Sequence, residues 1–320
     1  MLAAQSTYLR QAITGRLSEA ESGTRGTLAP LGYAAAPAAP APTFGGFTAW
    51  GQGYGGWGQV SGGAASSVSS SVGGFLGGFD GEVAPNWRIG LAGGYSQTSF
   101  STDAVSGSGS SDSYDLALYG ANRVGPVSLR YGGSYSWHDI STSRTASLPG
   151  LYQSLSADQD GGTGQLFGEL GYGVRAPGGA LLEPFAGLAY VRLDLDSFTE
   201  TGGSAALASS GLDQETVLTT LGAQASQEFT AGPATLAIRA RLAWQHAFGD
   251  LDPQLTETFA SSGGPGFTIT GAPLVRDTAL IGLGLDWLLT ATARLGVSYT
   301  GQLAAQTQNN AVQGRLSVAF

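Results

Sequence analysis

The last nine residues, VQGRLSVAF (312–320), set Val312, Leu316, Val318 and a terminal Phe320 on one face of a strand and Gln313, Arg315 and Ser317 on the other. In water such an end frays and offers an apolar edge for aggregation. A closed barrel satisfies it, with lipid against one face and a polar lumen against the other. The stretch predicts an outer-membrane, all-β protein.

The composition agrees. Mean hydropathy is +0.04, and no run approaches the ~18 apolar residues of a membrane-spanning helix. Met1 is followed by LAAQSTYLRQ, which lacks the apolar core of a secretory signal, so the chain is expected to be a piece of something longer. With 52 Gly in 320 residues, no Cys and 12% charged residues, the chain reads as sheet-rich, with short turns and no disulfides. All 14 basic residues are Arg, which suits a polar pore because guanidinium stays charged and pairs bidentately with carboxylates. Biased genome composition explains the same usage. A net charge of −9 without a basic stripe argues against nucleic acid as a partner.

Three regions separate along the chain: a helical segment at 1–26, an Ala/Pro linker at 27–43 and a strand-rich region at 44–320. Residues 5–21 space Leu9, Ile13 and Leu17 four apart, with Arg10, Arg16, Glu19 and Glu21 on other faces. Ser6 or Thr7 is the expected cap, and Gly23 and Gly26 the stop. The linker, TLAPLGYAAAPAAPAPT, is too rich in proline for helix or sheet.

Beyond Phe44 the period becomes two, and the breaks alternate in length. Short turns are expected at 84–87, 125–126, 176–179, 231–233 and 290–292, and longer polar stretches near 61–71, 102–112, 141–163, 195–214 and 249–273, with a brief one at 306–310. Five short and six long connections make twelve strands. Turns on the periplasmic side and loops outside are the pattern of an outer-membrane barrel, placing Phe320 at the periplasmic end.

Two faces are legible in several strands. Leu129, Tyr135 and Trp137 oppose Ser128, Arg130, Ser136 and His138; Leu236, Ile238, Leu242 and Trp244 oppose Arg239, Arg241 and Gln245; Leu295, Val297 and Tyr299 oppose Arg294, Ser298 and Thr300. An Arg on the lipid face costs ~2–4 kcal/mol near the midplane, so these are assigned to the lumen. Strand 181–193 is ambiguous in parity. Expected lumen charges are Asp80, Glu82, Asp115, Glu169, Glu228 and Asp286, against Arg130, Arg239, Arg241, Arg294 and Arg315. Trp87 and Trp287 fall near predicted turns, and Trp137 and Trp244 near predicted loops, as two interfacial girdles require.

The helix, FTAWGQGYGGWGQV (47–60), GFDGEVAPNWRIGLAGGYSQTSF (78–100), YDLALYGANR (114–123), LEPFAGLAYV (182–191), WQHAFGD (244–250) and the final SVAF together resemble the translocator (β) domain of type V autotransporters. The resemblance implies a monomeric twelve-stranded antiparallel transmembrane β-barrel of the bacterial outer membrane, with an amino-terminal α-helix in its lumen. It implies export of an attached passenger, placed before the helix. Periplasmic chaperones and the barrel-assembly machinery are the implied partners, the latter reading Val312, Leu316, Val318 and Phe320. The implied plug residues are Leu9, Arg10, Ile13, Arg16, Leu17 and Glu19.

Other chemistry fares less well. His138 and His246 lie near acids at the predicted rim, which leaves a rim hydrolase as an alternative, beside a passive porin. The spacing is generic, so no catalytic residue is assigned, and no metal or other cofactor is expected. Residues 1–43 hold no Asn, which rules out Asn-dependent self-cleavage there. Acids of the long stretches, such as Asp194, Asp213 and Glu215, form a solvated rim or meet divalent cations that bridge lipopolysaccharide.

Overall fold

The computed structural model describes residues 2–23, 46–61, 67–102, 107–231, 234–262, 264–271 and 273–320. The Ala/Pro linker at 27–43 lies outside them.

Twelve long strands form the wall: β1 (Phe47–Val60), β2 (Val68–Ala84), β3 (Trp87–Thr102), β4 (Gly107–Val124), β5 (Val127–Leu148), β6 (Leu151–Tyr172), β8 (Leu181–Leu195), β11 (Leu212–Ala231), β12 (Ala234–Gly249), β15 (Asp277–Leu288), β16 (Ala293–Leu303) and β17 (Thr307–Ala319). A two-residue strand β7 (Val174–Arg175) pairs with the start of β8, and β9 (Phe198–Thr199), β10 (Leu207–Ser209), β13 (Gln254–Phe259) and β14 (Phe267–Thr270) form a separate small sheet. Neighbouring long strands pair antiparallel in chain order. β17 then returns to β1, from Thr48 opposite Ala319 to Val60 opposite Thr307, closing the barrel without a free edge. The amide of Phe320 donates to the carbonyl of Phe47 at 2.8 Å, so the last residue is tied to the first strand.

The faces divide as period two requires. Leu91, Leu118, Trp137, Leu166, Leu188, Leu242, Val297 and Leu316 are exposed on the outside, where they meet lipid, while Asp80, Ser128, Arg130, Glu169, Glu183 and Gln313 are buried within. Trp87 and Trp287 are exposed at one end of the barrel, and Trp137 and Trp244 toward the other. In β8 the odd residues Glu183, Phe185, Val191 and Leu193 point inward and Leu182, Leu188, Tyr190 and Arg192 outward, which settles the parity of that strand.

One end carries the tight turns. Asn86, with φ of 64°, and Gly125, with φ of 59°, take the left-handed conformation that lets the chain reverse there. The other end carries most of the long connections, but strand pairing runs further than the sequence suggests. β5 and β6 continue to a two-residue turn at 149–150, so the polar stretch 141–163 is mostly a strand hairpin, not a loop. β4 begins at Gly107 and β17 at Thr307, which shortens the expected connections at 102–112 and 306–310. The reason is physical. A membrane crossing needs only ~9–11 tilted residues, and above it neither strand face meets lipid, so the apolar alternation fades while backbone pairing persists.

The projecting hairpin and the small sheet make a cap at the loop end. Ser156 and Thr201 exchange backbone hydrogen bonds, and Leu155 and Leu207 are buried. Arg144 grips Glu200 bidentately at 2.7 and 2.6 Å and donates to the carbonyl of Ala205 at 3.0 Å. Glu257 is buried beside this pair, and its Oε2 lacks a hydrogen-bond partner among the described residues. Burial pushes the Glu257 carboxyl up, Glu200 adds to the rise and Arg144 opposes it. A raised folded-state value means that the contribution is complete below the ordinary glutamate value of ~4.3 and is lost as pH climbs through the raised one. Amide exchange over 254–259 should therefore be slower at pH 5 than at pH 8 after correction for intrinsic rates, and Glu257→Gln should flatten that difference.

Candidate functional site: the helix-filled lumen

One helix, α1 (Leu2–Gly23), lies inside the barrel. At ~1.5 Å per residue its 22 residues span about 33 Å, the order of the bilayer core. It begins at Leu2, so Ser6 and Thr7 are interior helix residues, not its cap, and it stops at Gly23.

Its direction follows from its partners. Gln5 contacts Thr98 and Ser113 near the loop end, Tyr8 stacks on Tyr54 with ring centroids 5.7 Å apart, and Glu21 meets Arg130 near the turn end. The chain thus enters at the loop end and leaves at the turn end, where β1 also starts.

The apolar stripe expected from the sequence faces the wall. Leu9, Ile13 and Leu17 are buried in one cluster with Trp50, Leu76, Ala92, Ala117, Tyr119 and Phe167. The backbone of α1 runs nearest to β4, β5, β6 and β8.

Three ionic clasps hold the remaining faces. In the first, Arg16 grips Asp80 of β2 bidentately at 2.8 and 2.9 Å, and Arg88 of β3 pairs with the same carboxylate. The Tyr119 hydroxyl donates to Asp80 at 3.3 Å and accepts from the Trp50 indole at 2.8 Å. In the second, Arg130 of β5 is wholly buried, donating from Nε to Glu21 at 3.0 Å, from Nη1 to Glu169 of β6 at 2.9 Å and from Nη2 to Glu183 of β8 at 2.7 Å. Arg241 of β12 pairs with Glu169 from the far side and stacks its guanidinium 3.9 Å from the centroid of Phe185. In the third, Glu19 accepts from Arg315 at 3.3 Å and Ser317 at 3.1 Å, with Arg294 at 3.6 Å; Arg315 also donates to the carbonyl of Ala12 at 3.1 Å. The helix residue Gly15 fits this approach, since an added Cβ would sit 3.4 Å from Arg315 Nη2. Arg10 is held by Gln165 at 2.9 Å, whose own amide donates to the carbonyl of Ser6 at 3.0 Å.

The other expected lumen charges divide. Arg239 pairs with Asp286 at 2.6 Å, while Asp115 accepts from Ser136 and meets no Arg among the described residues. Glu228 and Glu82 are exposed at the turn-end rim instead of paired within, although Glu82 accepts from the amide of Asn86 at 2.8 Å. His138 is not at the rim but buried in the lumen, between Ser113 and Thr163, each at 2.8 Å. Asp139 follows on the opposite face, so no carboxylate orients this Ser–His contact. His246 points outward and meets Asp277 at 2.7 Å, not Asp250 or Asp252. The two histidines lie on opposite sides of the wall. Glu183 was hidden in the sequence by Phe185, Val191 and Leu193 on its own face; the readable signal was a carboxylate between Leu182 and Pro184 in a lipid-crossing strand.

The autotransporter β-domain family model matches residues 49–300. The chain belongs to that family. Two curated relatives, each an extracellular serine protease of Serratia marcescens, are 35% and 33% identical to this β-domain over 99% of its length, and the β-domain spans 29% of each of them. The translocator domain of autotransporter NalP from Neisseria meningitidis has the same fold, with a TM-score of 0.69 at 18% identity, covering 99% of this chain and 98% of that one. The β-domain of the Bordetella autotransporter BrkA follows at 0.63 and 17%, covering 86% and 100%. This autotransporter β-domain is an integral protein of the bacterial outer membrane.

Removing one partner of a buried pair leaves the other charge uncompensated, at a cost of about 3–5 kcal/mol. Arg130→Met should accordingly lower the thermal unfolding midpoint of the protein in detergent. Adding Glu21→Gln to it should cost much less than the two single changes summed, because both remove the same contact.

Proposed function

We propose that this barrel exports a passenger attached ahead of α1 to the cell surface and is then closed by the helix. The observation that carries the reading is the path of the chain. α1 descends from the loop end to the turn end, and β1 starts at the turn end, so any segment preceding α1 emerges at the loop end. With loops outside, that end faces the medium. A passive porin has no use for a helix that fills its lumen with matched charges.

The supporting physics is complementarity. Leu9, Ile13 and Leu17 fill the space along one wall, and Arg10, Arg16, Glu19 and Glu21 each find a lumen partner. We assign these residues to closure, and Val312, Leu316, Val318 and Phe320 to recognition by the barrel-assembly machinery, with periplasmic chaperones delivering the chain. Phe320 is largely exposed on the outer face at the turn end, where a periplasmic-side machine reaches it first. Lipopolysaccharide is the proposed neighbour of the acidic outer rim, where Arg192 sits among Asp194, Asp213 and Glu215. The barrel acts as a monomer, because one chain closes it. Any enzymatic activity of the whole protein is placed in the passenger, and the Serratia relatives make a secreted serine protease the first activity to test.

An epitope fused ahead of residue 2, behind a secretion signal, should be removed by protease added to intact cells. Phe320→Ser should cut the amount of assembled barrel several-fold. An epitope that stays protected while the barrel is fully assembled would contradict the export reading.

A further inference from the structure

The helix does not fill the lumen evenly. Its apolar stripe is packed on the wall, but Thr7, Gln11, Thr14 and Ser18 form a polar stripe on the other side, facing β11, β12 and β15–β17 across a series of cavities. The first, 160 Å³, reaches Val60 and Val68 at the loop end; the second, 40 Å³, lies at mid-height; the third, 140 Å³, reaches Leu181 and Ser226 near the turn end. Neighbouring cavities share lining residues. Thr7 and Gln245 border the first two, while Gln11, Thr14, Arg241 and Leu280 border the second and third. Gln11 Oε1 is buried without a hydrogen-bond partner among the described residues, beside the middle cavity that Gln11 lines.

The walls carry a sign. Arg10, Arg239, Arg241 and Arg315 line the cavities, against Glu169 and Glu183. Two carboxylates that pair with these arginines, Asp286 and Glu19, are not among the lining residues. At the neck, Arg10 and Arg241 face Glu169 alone. A narrow, low-dielectric passage with excess guanidinium concentrates anions and repels cations. The neck still exceeds the ~10–15 Å³ that one water needs.

We propose that the helix-filled barrel keeps a conduit along the Thr7, Gln11, Thr14 and Ser18 face and passes small monovalent anions in preference to cations. This rests on the reading of α1 as a resident plug. It adds an activity to the closed state: a selective leak through a barrel shut to protein.

The test uses the full chain in planar bilayers under a tenfold KCl gradient. The expected result is a small conductance with a reversal potential of the chloride sign. Gln11→Glu, nearly isosteric at the neck, should move that potential toward zero or past it. Because the chain has no native Cys, Ser18→Cys gives a second readout. A negatively charged thiol reagent should modify it faster than a positively charged one and lower the conductance several-fold. No conductance at all would overturn the conduit and leave the plug standing. A large, unselective conductance would overturn both. A small conductance with cation preference, or one that Gln11→Glu leaves unchanged, would overturn the conduit alone.

Discussion

Arg130 is a guanidinium fully removed from water on the lumen face of β5, and the carboxylates that make this tolerable come from three separate elements: Glu21 of the helix, Glu169 of β6 and Glu183 of β8. An unpaired charge so placed would cost several kcal/mol, more than most single contacts return. The same constraint governs Asp80 and Glu19. When the helix occupies the lumen it displaces the water that solvated these groups, so every charge must find a protein partner in one step. That requirement fixes the register of α1 far more sharply than an apolar plug would, since a shift by one turn leaves several charges stranded.

A polar lumen is also what the barrel needs before the plug is in place. Lipid demands an apolar exterior, and alternation then leaves the interior free to be wet. The helix meets this interior with two surfaces of opposite character. Leu9, Ile13 and Leu17 exclude water against residues of β1–β4, β6 and β8, whereas Thr7, Gln11, Thr14 and Ser18 leave water room toward β11, β12 and β15–β17. A plug that is packed on one side and wet on the other is held firmly and can still have entered through a hydrated pore. The cap at the loop end is a separate small sheet pinned to the projecting hairpin by Arg144 and Glu200.

Much of this was legible in the sequence wherever one physical rule acted alone. Alternation reveals the lumen positions of Arg130, Arg239, Arg241, Arg294 and Arg315 because an Arg in lipid is prohibitive, and the tight turns are marked by residues such as Asn86 and Gly125. Where two environments share a character, the signal fails. Above the membrane neither face of β5 and β6 meets lipid, so the strands beyond Ile140 read as loop. In β8 both faces are apolar, because Phe185 packs under Arg241 inside the lumen, and Glu183 went unassigned. His138 reads as a rim residue from its distance along the strand, yet hydroxyls of Ser113 and Thr163 on neighbouring strands enclose it, and no local pattern announces them. The partners of Glu19 and Glu21 depend on tertiary register in the same way.

The central claim is that α1 is resident in the pore and held there by these clasps. Single-channel conductance of the refolded protein, compared with a chain beginning at Thr43, tests it most directly. The account predicts a low conductance that rises sharply when residues 1–42 are removed. Equal, large conductance from both chains would contradict it, because the lumen would then be open with the helix attached.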